Sequence, residues 1–182
     1  MAANRRKAEE AAHQLVRSLA RPTLPIDVER LATQEGLKVI HERFATDVSG
    51  TIVRESTGRV VLGVNTYHSK TRQRFTVAHE LGHWKLHLEN KRVGTFVDRP
   101  AEVLFRDRVA SEGVDAKEIE ANAFAAALLM PEDLVIREAR RAFRTQPSLP
   151  SEQLVDRLAA DFNVSQQAAR YRLMNLHILD PL

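Results

Sequence analysis

Two histidines four residues apart, His79 and His83, stand with Glu80 in a stretch whose neighbours are largely apolar: Phe75, Val77, Ala78, Leu81, Trp84 and Leu86. On a helix, positions four apart lie on one face, one turn above the other. The apolar neighbours require that helix to be buried on most sides. Burying two imidazoles and a carboxylate is costly unless they are engaged. The chain must therefore fold around an internal polar group. Ring nitrogens so spaced can converge on one zinc ion at ~2.0–2.1 Å each, and Glu80 can reach a water beside it. Manganese accepts the same donors. The plainer alternative is a helix with two ordinary surface histidines and a solvated carboxylate.

The chain has 182 residues and no cysteine, so disulfide frameworks, thiolate catalysis and Cys-ligated metals are excluded together. A third ligand must then be His or carboxylate. His87 continues the spacing but lies ~12 Å along the axis from His79, too far to share the ion. His13, His41, His68 and His177 have no supporting pattern. Downstream, Glu118 and Asn122 are four apart on an Ala-rich helix, while Glu120 points elsewhere. Glu118 is the expected third ligand, with Asn122 orienting a ligating His. Glu120 is the alternative. Small residues at 121, 123, 125, 126 and 127 allow this helix to approach the histidine helix closely.

Periodicity places these helices in an α+β chain. Helical spacing predicts helices over residues 4–20 and 26–34, with Gly36 as a stop. Three β-branched runs follow, 37–41, 51–55 and 59–64, the last two joined by a Ser56-Thr57-Gly58 hairpin signal. They predict a small, largely antiparallel sheet. The pattern is helical again over 69–87, then charged and irregular over 90–114, as in a long surface loop. Further helices are expected over 115–130, from Pro131 as first helical residue, and over 151–162 and 165–176. One domain spans 1–182: an N-terminal helix (1–20), a core (21–135) and C-terminal helices packed on it (136–182). A composition of 43% hydrophobic and 28% charged residues excludes a disordered or low-complexity chain. Lys and Arg exceed Asp and Glu by only 27 − 24 = 3. The basic stretches Asn4–Lys7 and Arg137–Arg144 then read as solvated faces, with nucleic-acid contact the alternative.

RFTVAHELGHWKLH followed by EIEANAFAAALLMP resembles the ImmA/IrrE family of metallo-endopeptidases, over about residues 25–175. The resemblance implies a gelatinase-type zincin fold, with His79, His83 and Glu118 as ligands of one zinc and Glu80 as the catalytic base. It also implies a helix–turn–helix repressor as the substrate. Long members carry a further C-terminal sensor domain, which this sequence is expected to lack. Peptide hydrolysis needs an oxyanion donor beside the metal. Tyr171, Tyr67 and His68 are the possibilities, and Tyr171 also reads as a core residue. The run Arg59, Val60, Val61, Leu62, Gly63, Val64 is expected as an edge strand on which an extended substrate pairs.

A second reading takes residues 158–173 as a helix–turn–helix presenting Ser165, Gln166, Gln167 and Arg170 to DNA, with a structural zinc. A third keeps the metal but makes the chain an inactive partner that sequesters a repressor. No apolar run reaches the ~18 residues of a membrane span, and the start lacks a secretory core. With no cysteine, a cytoplasmic location is expected.

Overall fold

The computed structural model describes residues 3–88, 95–98 and 112–180. In chain order the elements are α1 (Arg5–Arg17), α2 (Val28–Gln34), β1 (Leu37–Glu42), β2 (Gly50–Arg54), β3 (Val60–Asn65), α3 (Lys70–His83), β4 (Thr95–Asp98), α4 (Glu112–Leu129), α5 (Glu132–Thr145), α6 (Ser151–Phe162) and α7 (Gln166–Asn175). The architecture is α+β and mostly helical. Short polar side chains start four of the helices: Asn4, Asp27, Ser69 and Ser165 each accept a backbone N–H from the first turn. Pro131 is the residue before α5, not its first helical member, and Glu132 and Asp133 fill the first turn. The irregular stretch 90–114 is revised at two places, since residues 95–98 form a strand and α4 begins at Glu112. The rest of that loop assignment lies outside the described residues.

The four strands form one mixed sheet in the order β1-β3-β2-β4. β1 runs parallel to β3, whereas β2 is antiparallel to both β3 and β4. The tight turn at residues 55–59 returns β2 into β3, with Gly58 at φ +84°, a conformation that costs glycine little. That return slots β3 between β1 and β2. The edge-strand expectation for Arg59, Val60, Val61, Leu62, Gly63 and Val64 is thereby corrected. Residues 60–64 hydrogen-bond on both sides, and Arg59 sits exposed in the turn before them. The near-continuous apolar run VVLGV is what a central strand needs when both faces are covered. Among the described residues, β1 and β4 are the outer strands.

α3 lies between the sheet and α4. Val60, Leu62 and Val64 of β3 join Val77, Ala78 and Leu81 of α3 in the core. On its far side α3 meets α4 at close range: a Cβ on Gly82 would lie 3.0 Å from the Phe124 ring and 3.2 Å from the Ala121 backbone. Phe124 is wholly buried there, and Phe→Ala at such a site costs about 3–5 kcal/mol. α1 packs along α4 as well, and side chains from α1 through α7 meet in one apolar core. No described helix is long and apolar enough to cross a membrane.

Candidate metal centre

Every residue from Thr76 to Trp84 is buried, because α3 is covered by the sheet on one side and α4 on the other. The histidines therefore cannot be solvated surface groups. His79 and His83 are 2% and 1% exposed, and Glu80 is wholly enclosed. After His83 the helix widens into a single π-helical turn, Trp84–Leu88.

His79 Nε2 and His83 Nε2 lie 3.0 Å apart. Glu118, buried on the facing side of α4, brings Oε2 to 3.2 Å from His79 Nε2 and Oε1 to 3.0 Å from His83 Nε2. On the remaining nitrogen of His79, Nδ1 is 3.0 Å from Asn122 Oδ1. With an ion held, Nδ1 would donate to that amide oxygen and leave the Nε2 lone pair for the metal. Two imidazole nitrogens and an anionic oxygen thus converge in the interior. Donor atoms about 3 Å apart would be close enough to be shared by one ion with ~2.0–2.1 Å bonds. The donor set fits a metal ion, and this His/His/Glu group is the one such cluster among the described residues.

Charge balance supports the fit. Burial acts most strongly on the Glu118 carboxyl and raises its pKa. Hydrogen bonds from His79 and His83, with attraction to both rings, outweigh that and hold it at about 2. The centre therefore contains an anion at every ordinary pH. Burial pushes the His83 imidazole below its ordinary 6.5; the hydrogen bond with Glu118 opposes the shift and His79 adds to it. A neutral His83 beside an ionised Glu118 is the protonation state that a cation requires.

Glu120 is placed apart from this cluster. Its Oε1 accepts the Asn4 backbone N–H at 2.7 Å, and its Oε2 lies 3.5 Å from His87 Nε2. It anchors the start of α1, while His87 occupies a flank of the centre. Of the proposed oxyanion donors, Tyr67 and His68 precede α3, whose nine helical residues before His79 span ~14 Å along the axis. That separation removes them from the centre. Tyr171 is not a core residue: it is 46% exposed on α7, next to Arg172, whose guanidinium is buried against the Met130 carbonyl.

Two of the residues proposed for DNA contact are engaged with acids. Gln166 donates to Asp156, and Arg170 pairs with Glu152, across α6 and α7. Leu154, Leu158, Phe162, Ala169 and Leu173 of the same helices belong to the common core. Two residues that bear on the centre escaped the sequence reading, Gly50 and Asn65. A Cβ on Gly50 would lie 2.9 Å from Glu80 Oε1, and Asn65 ties down the loop that leads to it. A glycine opening a β-branched strand is the signal that could have exposed the first.

Among solved structures, a Mycobacterium tuberculosis transcriptional regulator resembles the chain in fold, with a TM-score of 0.58 and 21% identity over 92% of this chain. The chain spans about half of that protein, 47% of its length. No curated protein matches the sequence at a significant level. Residues 32–174 match the Peptidase M78 model, described as the IrrE N-terminal-like domain. That match covers the sheet, the histidine helix and the Glu118 helix together, and the chain belongs to the Peptidase M78 family.

Proposed function

We propose that residues 1–182 act as one zinc-dependent endopeptidase domain whose substrate is a helix–turn–helix repressor. The observation that carries the peptidase reading is the convergence of His79, His83 and Glu118 beside a fully enclosed Glu80. The family supports the reaction class, and the word repressor comes from the ImmA/IrrE resemblance. The solved neighbour's description as a transcriptional regulator accords with a regulatory role.

His79, His83 and Glu118 would hold the ion, and Asn122 fixes the tautomer and tilt of His79 through its Oδ1. When bound, zinc lowers the pKa of a water toward ~7 and polarises the scissile carbonyl. Glu80 accepts the proton of the attacking water and returns it to the leaving amine. Its enclosure keeps bulk water from competing for that proton. Tyr171 is the remaining oxyanion donor to test, through a ~10²-fold loss of kcat in Tyr171→Phe.

With β3 internal, the strand that an extended substrate would meet is β4. Its partner β2 carries Gly50 against Glu80, and Gly50 pairs with Asp98, so β4 is the outer strand nearer the base. A peptide added there gains main-chain hydrogen bonds whatever its side chains. The test is incubation of the zinc-loaded protein with a helix–turn–helix repressor encoded beside it, followed by mass spectrometry of the fragments. A single internal cut that is absent with Glu80→Gln supports the proposal. An intact repressor that is nevertheless stripped from its operator would make the chain a sequestering partner.

A further inference from the structure

The base needs a wall as well as a cavity, because a glutamate side chain has three torsions of its own. Gly50, the first residue of β2, supplies one. A Cβ at that position would lie 2.5 Å from Thr76 Cγ2, 2.9 Å from Glu80 Oε1 and 3.1 Å from Glu80 Cγ. Real side chains do not approach so closely. Only a residue with no side chain lets the strand close on α3, so bare backbone bears on both the stem and the carboxylate of Glu80.

The height of that backbone is set from outside the centre. Asn65, the wholly buried last residue of β3, donates from Nδ2 to the carbonyls of Ala45 at 3.0 Å and Val48 at 2.7 Å. Its Oδ1 accepts the Tyr67 N–H at 3.0 Å, and its own N–H donates to the Ser49 carbonyl at 3.0 Å. Ser49 Oγ in turn accepts from Arg72 on α3 at 3.2 Å. One amide therefore clasps the β1–β2 loop to the turn that enters α3, immediately before Gly50. An amide with donors and an acceptor all engaged in the interior resists displacement.

We propose that Gly50 is a positioning residue for Glu80, with Asn65 as the clasp that holds Gly50 in place. The inference rests on the reading of Glu80 as the general base. It predicts that the base can be misplaced without disturbing the metal, since His79, His83 and Glu118 are fixed between α3 and α4.

The experiment uses the full zinc-loaded chain and two readouts. In Gly50→Ala, kcat should fall ~10²-fold, as expected for an ångström-scale misplacement, with KM and bound zinc near wild type. Thr76→Ser, which removes Cγ2, should restore part of that loss. Asn65→Asp keeps the acceptor but loses both donors, and should repeat the kcat loss with zinc retained. Independently of turnover, Gly50→Ala should lower Tm by about 2–8 °C. That drop should shrink in a Glu80→Ala background, where the obstructing carboxylate is gone. Wild-type kcat in Gly50→Ala, when Glu80→Gln is inactive, overturns the proposal. So does a Tm loss equal in both backgrounds. If Glu80→Gln stays active, the base assignment fails, and the melting cycle still decides whether Gly50 bears on Glu80.

Discussion

Two helix pairs in this chain do opposite things with their polar residues. In α3 and α4, histidine, glutamate and asparagine point at one another across an interface that Gly82 and Ala121 make narrow. In α6 and α7, the apolar faces meet the core while Gln166, Arg170, Asp156 and Glu152 pair on the exposed side. A buried polar group must be satisfied by something, so metal-ligating side chains that converge in the interior make a candidate site. An exposed pair is satisfied by water whenever its partner leaves, and implies neither. Burial, rather than residue type, separates the chemistry from the surface.

The comparison breaks most sharply at α4. Glu118→Ala should lower metal affinity by well over ~100-fold, beyond what loss of an orienting partner costs. Glu120→Ala should keep the metal and instead loosen α1, through loss of the acceptor for the Asn4 N–H, at about 1 kcal/mol. Titration with a chromophoric chelator and thermal melts read both. The reverse pattern would move the ligand two residues along the helix. Asn122→Ala is next, at ~10–100-fold in metal affinity, because His79 would lose the bond that fixes its tautomer.

The pH dependence of the metal-free protein sharpens the same contrast. The folded His83 binds a proton less readily than the unfolded chain does. Its contribution to stability is therefore present above 6.5 and lost as pH falls from there through its lower folded value. Glu118, also held below its ordinary 4.5, adds a second loss as pH falls from there toward about 2. Melts in chelator between pH 7.5 and 5 should show Tm declining toward acid, and His83→Gln should flatten the upper part of that decline. A Tm that rises toward acid would contradict the burial of a neutral His83.

The site was more legible than the sheet. His79, Glu80 and His83 follow from a spacing that only a helix satisfies, and the apolar residues around them announce burial. Glu118 and Asn122 follow from the same four-residue rule on a second helix. Strand order follows from no such rule. Residues 60–64 carry the apolar run of an internal strand, yet a hairpin signal alone says which strands are joined, not which one is inserted between others. Gly50 and Asn65 act through contacts with residues distant in sequence, and nothing local marks them except the glycine itself. Tyr171 read as core or catalytic because aromatic residues usually bury; its place beside Arg172, whose charge takes the buried position, turns it outward.

Packing separates the two pairs as well. Gly82→Ala places a methyl within 3.0–3.2 Å of Phe124 and Ala121, where the neighbours include backbone that cannot yield. Overpacking of that kind costs about 1–3 kcal/mol, and here it also pushes Glu118 away from the histidines. Both stability and metal affinity should fall together in chemical denaturation and chelator titration.

The smallest expected effect lies at the other pair. Arg170→Ala removes the partner of Glu152, an acid that is 73% exposed at its side chain and solvated without help. Exposed ion pairs contribute about 0.2–1 kcal/mol, so the melting point should move by no more than a few degrees. Metal affinity and peptidase activity should not move at all. DNA binding, measured by fluorescence anisotropy on duplexes at low salt, should be weak in the wild-type chain and unchanged by this variant. The reason is electrostatic: Glu152 and Asp156 stand beside the residues that would face the phosphates, and carboxylates there oppose the counterion release that drives such binding. Tight binding that Arg170→Ala abolishes would give α7 a recognition role and leave the buried pair as scaffold.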